Sequence, residues 1–106
     1  MVSDHRCGEA LAYLQRTDEE AAELKVQVER KAYLVELARK KAYLAAAGTI
    51  EQRKAIAETS QEVGDATDNW LAALLEFEKV KGHRTTEILI VDVWRTASAN
   101  RRTGNI

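Results

Sequence analysis

The chain has 106 residues, 16 basic and 17 acidic, and a formal net charge of −1. No overall field therefore draws it to nucleic acid or to an anionic membrane surface, and the length suits one domain, not two. Cys7 is the only cysteine, which excludes a disulfide within the chain and fits a reducing, cytoplasmic setting.

Proline is absent, only five residues are glycine, and 45% are hydrophobic, much of that alanine. Such a composition favours helix and close helix approach. The polar opening MVSDHRCGEA is unlike a signal peptide, and no apolar run nears the ~20 residues of a membrane helix. No membrane contact is expected.

In chain order, residues 1–16 read as a short helix with Ser3 as a cap and Leu11 and Leu14 on one face. Thr17 with Glu20 forms a capping box, so a first long helix is expected over 18–47. Its apolar spacing passes through Ala21, Leu24, Val28, Val35, Ala38, Ala42 and Ala45, broken by Lys31. Leu34, Leu37 and Leu44 lie on a second face. Gly48 ends this helix. Thr49 with Gln52 is a second capping box and opens a short connecting helix, 50–58. Thr59 with Glu62 is a third and opens a final long helix, 60–103. Two long helices joined through a short one fold back on each other. The expected fold is all-α: a long antiparallel helical hairpin with a short N-terminal helix, self-associating into a helical bundle.

The final helix organises the chain. Val63, Trp70, Leu74, Phe77, Ile88 and Val91 follow helical steps along one seam, which Lys81, Arg84 and Arg95 interrupt as a basic waist. A second stripe, Leu71, Leu75, Leu89 and Val93, lies beside it and is the candidate self-association surface, since one hairpin seam cannot cover both. A straight helix of this length spans roughly 65 Å, so it either bends near Gly82 or the protein is elongated. Residues 87–94 are rich in β-branched side chains and admit a strand reading. Helix is expected, because no other run offers a strand partner.

No nucleophile elbow, phosphate-binding loop or dinucleotide fingerprint is present, and the carboxylates follow helix-surface spacing. The expectation is a non-enzyme without catalytic residues, cofactor or metal. His5, Cys7 and His83 are too few and too scattered for a structural zinc site, and His83 is expected on the surface. Arg39, Lys40 and Lys41 form a second basic cluster. On the seam, Lys81 and Arg84 are candidates for a register-setting pair with acids of the facing helix such as Glu23 or Glu29, or for a ligand contact. The tail from Trp94 to Asn105 joins an aromatic to three arginines. Trp94, Arg95, Asn100, Arg101 and Arg102 are therefore the candidate partner-binding residues. The competing explanation is that cations suit the last turn of any helix.

Ala-Tyr-Leu followed by Thr-Asp-Glu-Glu (12–20), Ala-Gly-Thr-Ile-Glu-Gln-Arg-Lys (47–54) and Val-Trp-Arg-Thr followed by Asn-Arg-Arg (93–102) resemble small helical proteins of tailed bacteriophages and prophages. The resemblance covers nearly the whole chain. That family has no assigned function and carries over no catalytic residue. Its genes often neighbour phage recombination and replication genes. The resemblance implies a bacterial host cytoplasm and an accessory to phage DNA recombination or replication that works through protein contacts. The alternative is a counter-defence protein that blocks a host nuclease, effector or nucleotide signal. The partners it implies are a second copy, a phage or host protein, and nucleic acid through the basic tail.

Overall fold

The computed structural model describes residues 1–104. Its regular elements are α-helices: α1 (Asp4–Ala45), α2 (Ile50–Glu58) and α3 (Gln61–Thr103). α1 and α3 pack together as the arms of a helical hairpin. Residues 87–94 are helical, and among the described residues there is no strand. Gly82 does not break α3. Its missing side chain costs helix propensity, but the flanking turns keep their backbone bonds.

Three expected boundaries differ. First, no break falls at Thr17, and the expected short helix 1–16 is the first part of α1. The Thr17 hydroxyl donates to the Tyr13 carbonyl at 2.8 Å. With the helix continuing through it, Thr17 has no orphan amide to cap. The cap lies upstream, where Ser3 Oγ accepts from the Arg6 amide at 3.0 Å. Second, α1 ends at Ala45 rather than 47. Third, Ser60 rather than Thr59 opens α3. Ser60 Oγ accepts from the Val63 amide at 3.3 Å, while the Thr59 hydroxyl is spent on the Ala55 and Ile56 carbonyls. The Thr49 box forms as expected, with Thr49 Oγ1 accepting from the Gln52 amide and Gln52 Oε1 accepting from the Thr49 amide.

Contacts divide the chain into two compact units. One comprises Met1–Ala22 with the segment from Glu78 onward. Its apolar core is small: Cys7, Ala10 and Val91 are buried, and Val2, Leu14, Ile90 and Trp94 pack against them. Thr17 and Glu87 are buried as well. The expected seam is displaced here. Lys81, Ile88 and Arg95, spaced at sevens, are all exposed, whereas Arg84, Glu87, Val91 and Trp94 are half-buried or buried. Steps of three and four track a turn of 3.6 residues better than steps of seven alone, so Glu87 takes the inward place expected of Ile88.

The other unit is Glu23–Phe77. Val35, Ala57 and Val63 are buried, and Leu24, Val28, Leu34, Leu37, Trp70, Leu74 and Phe77 are half-buried. At its corner Gly48 adopts φ +117°, a conformation open to glycine and strained for other residues. Arg53 lies 4.3 Å over the Tyr43 ring and donates from Nε to the Tyr43 carbonyl at 3.3 Å. This ties α2 back to the end of α1. Arg39 bridges Glu36 and Glu58. Among the described residues no large side chain is fully buried, so the hairpin leaves much aliphatic surface in water.

Candidate functional site

Part of that aliphatic surface lies on α3, and part on α1 and α2, as at Leu11, Val26, Leu44, Ile50 and Ile56. In the Glu23–Phe77 unit Leu71 and Leu75 are 49% and 55% exposed. In the other unit Leu89 and Val93 are 58% and 52% exposed, with Ile88 beside them at 47%. The four candidate self-association residues thus face outward, as their stripe predicts. Met1, Leu89, Asp92, Val93, Thr96, Ala97 and Asn100 line a groove of about 500 Å³. Asn100, chosen from the sequence for the basic tail, therefore belongs with the aliphatic side chains.

The register pair takes a different form from the one expected. Arg84 reaches across to α1 and donates from Nη2 to Asp18 Oδ1 at 2.8 Å, and from Nη1 to the Leu14 carbonyl at 2.8 Å and Thr17 Oγ1 at 2.6 Å. Its acid is Asp18, not the expected Glu23 or Glu29, because Arg84 stands opposite the turn of α1 that holds Leu14, Thr17 and Asp18. Three acceptors for one planar fork suit arginine and not lysine. Lys81 is exposed.

One turn on, Glu87 is a buried carboxylate that spacing alone does not single out. Arg6 Nη2 donates to its Oε1 at 2.8 Å, and His83 Nε2 lies 3.3 Å from the same oxygen. The Arg6 hydrogen bond holds the Glu87 carboxyl below the usual carboxylate range, helped by the charge of Arg6 and by His83, with burial opposing. Its Oε2 is buried with no hydrogen-bond partner. His83 is exposed, as expected, and its ring lies 4.0 Å from that of Tyr13 between centroids. The available signal was the i,i+3 spacing of Arg84 and Glu87 on the inward line of α3, but a sequence does not show which line faces inward.

The tail residues have different partners within the chain. Trp94 is half-buried and donates its indole N–H to Asp4 Oδ1 at 2.7 Å, which ties it to α1. Arg95 lies 3.8 Å from Asp92, which partly neutralises it. Arg101 donates to Ser98 Oγ at 3.2 Å. Arg101 and Arg102 occupy the last turn of α3, where the helix dipole favours cations. Asn105 lies outside the described residues. In the second basic cluster Arg39 is held by its two glutamates. Lys40 instead lines a groove of about 560 Å³ that also includes Tyr43, Leu44 and Ala57.

Among the described residues no three His, Cys, Asp or Glu side chains gather where they could hold a metal ion. Cys7 is buried in the small apolar core, and His5 sits 3.8 Å from Glu9 on an exposed turn. No described helix is long and apolar enough to cross a membrane. No family model matches the chain, and no curated protein or solved structure is significantly similar to it.

Proposed function

We propose that this chain is a non-enzymatic interaction module that presents the outward side of α3 to a protein partner. One observation carries the reading: in the unit that holds the second half of α3, Leu89 and Val93 are each about half-exposed on the side opposite Glu87 and Val91, which are buried. Covering the exposed half of one such side chain is worth about 1 kcal/mol, so several together contribute to association. Its resemblance to small helical phage proteins is the ground on which we read the module as an accessory to phage DNA recombination or replication that works through protein contacts.

The test is site-specific photo-crosslinking from Leu89, with Glu51 on α2 as an exposed control. Adducts from position 89 and none from 51 are the expected result. Absence of any adduct from 89, in cells carrying the neighbouring phage genes, overturns the reading. An adduct with an annealing or replication protein supports the accessory role. An adduct with a host nuclease or effector replaces that role with counter-defence. A direct nucleic-acid role requires binding to a single-stranded oligonucleotide that weakens steeply with salt and is lost in an Arg95→Ala, Arg101→Ala, Arg102→Ala variant.

A further inference from the structure

Within the Glu23–Phe77 unit, the end of α1 and α2 enclose a groove of about 560 Å³. Sites for compact organic molecules measure roughly 300–1,000 Å³. Its sides include Tyr43 and Leu44 from α1 and Ala57 from α2. Ala57 is buried, and Leu44 is 75% exposed. Two contacts fix the spacing of the helices. Arg53 holds the Tyr43 carbonyl and ring, and Arg39 holds Glu58. The groove is short, because α2 has nine residues and spans only about 13 Å. That length leaves no room for a docked helix of several turns and suits a small molecule.

Charge decides the kind of molecule. The two acids of the groove, Glu36 and Glu58, are both taken by Arg39. Its two lysines, Lys40 from α1 and Lys54 from α2, are exposed. Among the described residues neither takes part in a hydrogen bond or ion pair. An anion entering the groove therefore meets two unpaired ammonium groups and no unpaired carboxylate. Lysine serves oxyanions as a point charge, and its stem covers apolar surface while the head stays in water. We propose that this groove binds a small amphiphilic anion, with its apolar body against Tyr43, Leu44 and Ala57 and its carboxylate or phosphate held by Lys40 and Lys54. The site belongs to a different unit from Leu89 and Val93, and it does not rest on their reading as an interaction surface.

The test is an NMR titration of the full chain with decanoate, decanol and inorganic phosphate. Decanoate should bind saturably and shift the amides of Leu44, Lys54 and Ala57 first. Decanol lacks the charge and phosphate lacks the chain, so each should bind about tenfold more weakly or worse. Lys40→Gln combined with Lys54→Gln should weaken decanoate by a similar factor and leave decanol unchanged. Leu44→Glu should abolish decanoate binding, and helix content should be retained because Leu44 is largely exposed. Equal affinity for decanol and decanoate would overturn the proposal, as would undiminished decanoate affinity in the lysine variant. Shifts centred on Leu34 and Leu37, which line a second groove of this unit, would overturn it as well. So would the absence of saturable decanoate binding, and adducts from Leu44 with a protein would in that case assign the groove to a protein partner instead.

Discussion

The two compact units join α1 to α3 by different chemistries. In the Glu23–Phe77 unit the buried side chains are aliphatic, Val35, Val63 and Ala57. In the unit formed by Met1–Ala22 and the segment from Glu78 onward, guanidinium groups do much of this work: Arg84 on Asp18, Thr17 and Leu14, and Arg6 on Glu87. Aliphatic contact tolerates small changes in register, because it is non-directional. A planar fork with three acceptors does not. The polar unit specifies which turn of α3 meets which turn of α1, and the apolar unit supplies burial without that demand.

The largest effect should follow from Arg84→Met, which keeps the apolar stem and removes the fork. Thr17 and the Leu14 carbonyl then lose their charged donor, at a cost of about 2–3 kcal/mol. Asp18 adds little, since its side chain is largely exposed. Amide exchange should accelerate in residues 1–22 and 78–103 well beyond any change in 23–77. Equal acceleration throughout would show that the two units do not differ in what holds them. Val35→Ala tests the apolar unit in the opposite sense, with a loss of about 2 kcal/mol concentrated in 23–77 and no change in its pH dependence.

Acid should separate the units further. The Glu87 carboxyl is held below its ordinary value in the folded chain. The stability it contributes is therefore fully present above the pKa of an unfolded glutamate, and is lost as pH falls through the lower folded value. Between those limits protection in the polar unit should decline before that of 23–77, and Glu87→Gln should flatten the decline. A slope unchanged by Glu87→Gln would remove Glu87 from the account. The smallest effect belongs to the corner. Thr49→Ala deletes the cap that accepts from the Gln52 amide and should cost about 1 kcal/mol, seen as fraying of α2 alone by NMR.

Local chemistry made much of this legible in the sequence. Absence of proline, the Thr49–Gln52 box, Ser3 and Gly48 all act within a few residues, so the all-α class, the α2 boundaries and the turn could be read directly. The outward stripe of Leu71, Leu75, Leu89 and Val93 was legible too, because a helix presents i, i+4 and i+7 positions together whatever it packs against. What the tertiary structure alone decided was which turns of α1 and α3 meet. Thr17 looked like a helix start because a capping box and an internal threonine share the same side chain. Only Arg84 arriving from α3 shows the hydroxyl serving the second purpose. Ile88 and Glu87 were indistinguishable by period until the seam was seen to pass through Arg84 and Val91. Trp94 looked like a free aromatic until Asp4, ninety residues earlier, was found accepting from it. Each of these is a contact between residues far apart in sequence, and a pattern of spacings within one helix contains no information about the register of its neighbour.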